Sequence, residues 1–167
     1  MKRFVILVSI LVLFLMGLSM MLPSNISVAK TIEINAPENK ISKQINNFDQ
    51  WANWFPLLKT KLGSIQIQNE ENATILRKGG ENIQVSYLTK TANSASFSTT
   101  IPSGSTANYT ITISQLPESV FRVNMVVNTN LKWYPWEKMK GIFLDKISGP
   151  QYEEALKNLK DYCESAR

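Results

Sequence analysis

Residues 121–133 read FRVNMVVNTNLKW, and this stretch decides the fold class. Apolar side chains recur at every second position through most of it: Phe121, Val123, Met125, Val127, Leu131 and Trp133. The positions between them are mostly polar: Arg122, Asn124, Asn128, Asn130 and Lys132. A period of two is typical of a β-strand that buries one face and exposes the other. The stretch therefore predicts a long, half-buried strand.

The same period extends upstream over about seventy residues. Strands are predicted near residues 64–68, 73–77, 83–87, 95–99 and 109–114, and turn-like polar, glycine or proline clusters separate them. An earlier alternating stretch, residues 26–36, predicts one more strand, and two short helices follow it, the second over residues 49–54 with Asp49 as its cap. Strands joined by short turns favour an antiparallel meander, here of six or seven strands.

The last thirty residues have a helical period instead. Apolar residues recur there at steps of three and four: Met139, Ile142, Phe143, Ile147, Leu156, Leu159 and Cys163. We predict one long helix over residues 135–164, with a kink or break at Gly149-Pro150. Only this helix is large enough to cover the apolar sheet face, so the predicted fold is α+β, a curved antiparallel sheet gripping a long C-terminal helix.

The N-terminus has a different character. Residues 4–22 carry no charge, and as a helix they would span about 28 Å, close to the thickness of a bilayer core. We predict a transmembrane anchor in residues 1–23 and one domain in residues 24–167. Lys2 and Arg3 place the N-terminus in the cytoplasm by the positive-inside rule, which puts the domain outside it. The alternative is a signal segment cleaved before Lys30, which would leave a secreted or periplasmic protein.

Composition excludes several classes of site. The chain has no histidine and one cysteine, so histidine-based catalysis, an internal disulfide and a cysteine-cluster metal site are excluded. The net charge of +5 includes Lys2 and Arg3, and the remainder is too mild to indicate nucleic-acid binding. No cofactor or metal is expected, and nothing in the sequence indicates an oligomeric state.

Three local motifs carry a family resemblance. They are residues 32–37 (IEINAP), residues 47–54 (NFDQWANW) and residues 134–150, which begin YPWE and end GP. In this order they resemble the START-like (SRPBCC) superfamily, particularly its polyketide cyclase/dehydrase-like, membrane-anchored bacterial branch. The resemblance implies a helix-grip fold with a cavity between the sheet and the long helix, used in that superfamily for lipids and other apolar molecules.

Three functions follow from that expectation. The favoured one is a membrane-anchored, non-catalytic binder or carrier of a hydrophobic small molecule or lipid. The alternatives are a cyclase/dehydrase-like enzyme that works without histidine, and an interaction domain with a filled core and no ligand. No residue is assigned a catalytic role.

The candidate ligand-binding residues are those whose phase points them between sheet and helix. They are Tyr87, Tyr109, Met125 and Trp133 from the strands, and Phe143 and Ile147 from the helix. The two tyrosines are the stronger candidates, since a buried hydroxyl needs a partner and could orient a polar ligand group.

Two further groups have alternative interpretations. Trp51, Trp54 and Phe55 form either a cavity rim or an aromatic pin that holds the short helix on the core. Arg77 is in phase with Ile75, so it either points inward towards a carboxylate or extends from a strand end to solvent.

Overall fold

The structure, a computed structural model, describes residues 2–102 and 106–165, and for Lys2, Val8, Leu18, Ser19 and Lys140 it describes the backbone alone. The described strands are β1 (Asn25–Ile34), β2 (Gly63–Ile67), β3 (Asn72–Arg77), β4 (Ile83–Lys90), β5 (Ser94–Thr100), β6 (Thr106–Gln115) and β7 (Phe121–Asn130). The described α-helices are α1 (Lys2–Met21), α2 (Glu38–Asn46), α3 (Pro56–Lys59), α4 (Pro135–Ile142) and α5 (Leu144–Ser165). Two 3₁₀ helices cover Phe48–Asn53 and Pro117–Ser119.

The seven strands form one curved antiparallel sheet, which confirms the predicted α+β class. Their order is β1-β7-β6-β5-β4-β3-β2, so every neighbouring pair except β1 and β7 is consecutive in the chain. In that exception Val28 lies opposite Val127 and Ile34 opposite Phe121. The first strand therefore pairs with the last one, at one edge of the sheet.

The core lies between one face of this sheet and a cover made of α2, the 3₁₀ helix Phe48–Asn53 and α5. Ile41 and Ile45, one helical turn apart on α2, are both fully buried. The cover also buries Trp51 from the 3₁₀ helix, Trp54 directly after it and Leu159 from α5. Of the stripe predicted for the C-terminal helix, the part formed by Leu156, Leu159 and Cys163 thus meets the inward face of the strands, whereas Met139, Ile142, Phe143 and Ile147 are exposed.

The start of the 3₁₀ helix differs from the prediction. Asn47, not Asp49, is its cap, because the Asn47 side-chain oxygen accepts a hydrogen bond from the Asp49 backbone N–H at 3.0 Å. Pro56 not only follows this helix but also begins α3, where proline suits the first position because it has no N–H to leave unpaired.

The C-terminal helical region is broken, but not at Gly149-Pro150, where the prediction allowed a kink or a break. Phe143 separates α4 from α5, and α5 continues through Gly149 and Pro150. Lys30 of β1 binds carboxylates of α5 on both sides of this pair, Asp145 at 3.1 Å and Glu153 at 2.8 Å. These two contacts hold the helix on the sheet on either side of the proline.

The N-terminal helix α1 leaves the domain and contacts α4. The apolar side chains that the structure describes on α1 are exposed, for example Phe4 (72%) and Met21 (84%). When only described residues are counted, no helix has the length and apolarity needed to cross a membrane.

Candidate functional site

A cavity of about 360 Å³ lies between the sheet and α5, over strands β4 to β6. The helix contributes Ser148, Gln151, Tyr152 and Ala155 to its wall, and Phe55 closes one side. The sheet side is formed by Arg77, Ile83, Thr99, Ile101 and Tyr109. The volume is at the lower end of the range for small-molecule sites, about 300–1,000 Å³, and the mixture of apolar walls with a few polar groups is typical of them.

Tyr109 of β6 is the central polar group of this wall. Its ring stacks on Phe97, with centroids 4.8 Å apart and planes at 9°, and meets the Tyr152 ring edge-on at 5.9 Å. Burial raises the pKa of Tyr109, the neighbouring Tyr152 raises it further, and a hydrogen bond with Thr99 acts in the opposite direction. The hydroxyl therefore stays protonated at neutral pH, where it can donate or accept a hydrogen bond but is a poor base.

Arg77 lies at the rim of the cavity, at the end of β3. Its side chain is exposed, and the guanidinium lies over the turn that follows, because a Cβ added to Gly80 would be 3.2 Å from Arg77 Cζ. This is the solvent-facing alternative for Arg77, and it leaves a cation beside the cavity entrance, where it can reach an anionic ligand group.

The structure separates the six candidate ligand-binding residues. Of these six, the cavity wall includes only Tyr109. Met125 is 2% exposed in the core. Tyr87 is also in the core, where its hydroxyl accepts from Trp51 Nε1 at 3.1 Å and donates to the Ile45 carbonyl at 2.6 Å. Ligand binding by these residues stays a prediction, although Tyr87 has a full set of protein partners.

The inward orientation predicted for Trp133, Phe143 and Ile147 was wrong. Their side chains are 67%, 50% and 63% exposed. β7 ends at Asn130, so Trp133 no longer follows the strand alternation, and Phe143 stands at the break between α4 and α5.

The aromatic group of the short helix divides in two. Trp51 and Trp54 are fully buried, and Trp54 Nε1 donates to the Gln44 carbonyl at 3.0 Å, which is the pin interpretation. Phe55 is half-buried and lines the cavity, which is the rim interpretation.

Sequence reasoning missed Tyr152, Thr99 and Gln151. A signal existed for Tyr152, because it lies four and seven residues before Leu156 and Leu159 and shares their helix face. Thr99 carried a signal as well, because it alternates in phase with the buried Ala95 and Phe97. Gln151 carried none, since an exposed glutamine on a helix is ordinary.

A larger cleft, of about 640 Å³, lies at the far end of α5, beside Ala36, Phe121 and Cys163. Lys40 Nζ donates to the Cys163 carbonyl there at 2.5 Å. Burial raises the pKa of the Cys163 thiol to about 11, so this thiol is a weak nucleophile at neutral pH. The smaller cavity is the better candidate, because its polar groups converge between the sheet and α5.

Several solved structures have a similar fold. A START superfamily protein from Mycobacterium smegmatis superposes with a TM-score of 0.65 at 15% identity, covering 85% of this chain and 99% of that one. CalU16 from Micromonospora echinospora superposes with a TM-score of 0.57 at 12% identity, covering 81% of this chain and 73% of CalU16. DynU16, a protein in the dynemicin biosynthetic locus, superposes with a TM-score of 0.58 at 12% identity, covering 87% of this chain and 49% of DynU16.

No protein-family model matches the chain, and no curated protein matches its sequence. At these identities the structural likeness shows the fold alone, and that fold is START-like.

Proposed function

We propose that this chain is a membrane-anchored binder or carrier of a hydrophobic small molecule or lipid, held in the cavity between the sheet and α5. The observation that carries the proposal is the cavity itself, whose apolar wall includes Phe55, Ile83 and Ile101. Burial of about 300 Å² of apolar ligand surface there would contribute roughly 7 kcal/mol, before the costs of association. Affinity should therefore change little with salt and rise with ligand length.

A polar ligand group would meet the cavity entrance. Arg77 offers a bidentate partner for a carboxylate or phosphate, and Tyr109 and Tyr152 add two phenol groups to the same wall. We expect Arg77→Gln to weaken binding of a fatty acid and to leave binding of the matching neutral alcohol unchanged. Equal weakening of both would mean that Arg77 supports the cavity wall and does not read charge.

The binding test uses the full chain in a mild detergent. Native mass spectrometry and lipid extraction identify any co-purifying ligand, and titration gives its affinity. Gln151→Trp would fill the entrance and should lower affinity at least tenfold. Lys157→Trp, on an exposed part of α5 away from the cavity wall, is the matched control and should bind normally. Normal binding by the folded Gln151→Trp variant would refute this cavity as the site.

The membrane anchor rests on the sequence of residues 4–22, which are uncharged and strongly apolar, and on the exposed side chains of α1. The domain then lies outside the cytoplasm. Lys78→Cys places a reporter thiol at the exposed turn after β3, and the native Cys163 is too buried to compete. Labelling of intact spheroplasts by an impermeant maleimide is the expected result, and labelling only after lysis would reverse the topology.

A cyclase/dehydrase-like enzyme is the second candidate, and the pairing of Tyr109 with Tyr152 in the cavity favours it. The raised pKa of Tyr109 keeps its hydroxyl protonated, so in an enzyme it would donate a hydrogen bond to a substrate oxygen and would not serve as a general base. Tyr109→Phe distinguishes the two functions. A binder keeps most of its affinity in this variant, whereas an enzyme loses turnover of a bound substrate while still binding it.

A further inference from the structure

The helix α4 has its apolar side turned outward. Trp136, Met139 and Ile142 are 63%, 55% and 60% exposed, and the exposed apolar surface continues through Phe143 to Ile147 of α5. We call these five residues the apolar stripe. An amphipathic helix of a water-soluble domain normally turns such a stripe to the core, so its exposure requires a structural cause.

The stripe faces outward because the opposite side of α4 is held against the domain. Two residues on that side, Lys138 and Gly141, oppose rotation of the helix about its axis. Lys138 is only 4% exposed, and its ammonium donates to the Leu22 carbonyl at 3.0 Å and to Ser24 Oγ at 2.6 Å. Gly141 packs so closely that an added Cβ would lie 2.2 Å from Leu131 Cδ1. Turning the stripe inward would break both Lys138 bonds and drive side chains into Leu131.

The stripe lies where the chain leaves α1. Lys138 binds the backbone of Leu22, the residue directly after that helix, and α1 contacts α4. The last two residues of α1, Met20 and Met21, are 86% and 84% exposed. The exposed end of α1 therefore lies next to α4, the helix that carries most of the stripe.

Aromatic rings lie beside this junction. Trp133 is 67% exposed, and the Tyr134 ring lies between Trp133 and Trp136, at 6.1 and 4.6 Å from their centroids. Tryptophan and tyrosine are enriched where a protein crosses from lipid to water, since their rings are apolar and their N–H or O–H can face the headgroups.

The size of the surface favours a bilayer over a second copy of the chain. The stripe runs over residues 136–147, about 18 Å of helix at a width of about 10 Å, so it supplies far less than the about 800 Å² that each partner gives to a stable dimer. A bilayer interface needs no such minimum, because the anchor already holds the stripe beside it.

We propose that the apolar stripe of α4 and the start of α5 lies in the headgroup region of the bilayer that α1 enters, so that the domain is held against the membrane surface. This inference rests on the membrane anchor of the proposed function. It adds a second contact with the lipid and a fixed orientation of the domain.

The tryptophans provide the test. Trp136 belongs to the stripe and Trp133 is exposed close to it, whereas Trp51 and Trp54 are fully buried. The full chain is reconstituted in phosphatidylcholine/phosphatidylglycerol vesicles that contain lipids brominated along the acyl chain. Bromine should quench the emission of the exposed pair and spare the buried pair. In the double variant Trp133→Phe/Trp136→Phe, the quenched fraction should disappear while the near-ultraviolet circular dichroism of the core persists.

Three outcomes decide the proposal. Lipid quenching together with protection from aqueous acrylamide supports it. Free access of acrylamide to Trp136 overturns it, as does protection from acrylamide without lipid quenching, which would mean that protein covers the stripe. Extraction by alkaline carbonate reports separately on the anchor. If the chain resists extraction but shows no lipid quenching, the proposal for the stripe is wrong and the anchor is supported. If the chain is extracted but is still quenched in vesicles, the stripe contacts lipid and the anchor is refuted.

Discussion

Lys30 of β1 reaches Glu153 of α5 across the inner face of the sheet, with 2.8 Å between Nζ and Oε1. The same ammonium lies 3.1 Å from Asp145 Oδ1, and its side chain is 21% exposed. Gly149 makes the crossing possible, since a Cβ there would lie 2.8 Å from the Asp145 carboxylate and 3.2 Å from Lys30 Cε. The contact joins the first strand to the last helix on both sides of Pro150.

Replacement of this lysine should loosen α5. The pKa of Lys30 is raised above its ordinary value of 10.5, first by the hydrogen bond to Glu153 and then by that to Asp145. A raised folded-state pKa stabilises the fold below 10.5, and the contribution is lost as pH rises through the higher folded value. Lys30→Gln should therefore lower the melting temperature at pH 7 and make a shrinking difference above pH 10.5.

The control for Lys30→Gln is Arg122→Gln, which removes the exposed pair with Glu33 at 3.0 Å and should change the melting temperature little. Equal effects of the two variants at pH 7 would mean that the Lys30 contacts give no more than an ordinary surface pair.

Gly141 should tolerate no side chain unless Leu131 is shortened. Gly141→Ala introduces a methyl group 2.2 Å from Leu131 Cδ1 and should cost about 1–3 kcal/mol of unfolding free energy. In a Leu131→Ala background the same change should cost much less, because the colliding carbon is gone. Denaturant unfolding of the four proteins measures the coupling, and additive effects would contradict the packing.

Tyr87→Phe should affect stability and leave ligand binding intact. The change leaves the buried Trp51 N–H and the Ile45 carbonyl without the hydroxyl they share, at a cost of about 1–3 kcal/mol. The matched change Tyr109→Phe alters a group in the cavity wall instead. If Tyr87→Phe lost affinity while the fold stayed intact, the ligand would have to bind near Tyr87 in the core and not in the proposed cavity.

Cys163 should react slowly with iodoacetamide in the native protein. Burial raises the thiol pKa from 9.0 to about 11, Lys40 opposes the shift and Glu164 adds to it. The native thiolate fraction at pH 8 is then about 100-fold below that of the unfolded chain. Between pH 9 and 11 the unfolded thiol loses its proton first, so stability falls with rising pH.

The labelling rate between pH 7 and 11 checks the Cys163 prediction, with the denatured chain as reference. Lys40→Gln removes the cation that lowers the thiol pKa, so labelling of that variant should be slower still at a given pH. A native rate that levels off near pH 9 would contradict the raised pKa.

The sequence predicted the sheet well because alternation is a local signal. Val123, Met125 and Val127 of β7 are all buried, as the period of two requires. Lys30 is in phase with Val28 and Ile32 and reaches Glu153 of α5, a contact that was not predicted from the sequence.

The helices were harder to predict, because a helical stripe shows which residues share a face and not what that face meets. Met139 and Ile142 have the same spacing as Leu156 and Leu159, yet only the second pair is buried. The close contact of Gly141 with Leu131 determines which side of α4 faces the domain. The sequence shows the glycine but does not indicate which residue it contacts.

The pairing of β1 with β7 sets the time at which the domain can form. Asn25 finds its place opposite Asn130, more than a hundred residues later, and the strands between them pair only with their neighbours along the chain. At translation rates of about 5–20 residues per second, β1 waits roughly 5–20 s beside α1 before its partner strand has been synthesised. During that interval its backbone N–H and C=O groups are open to other strands, so chaperone protection during synthesis matters most for the segment closest to α1.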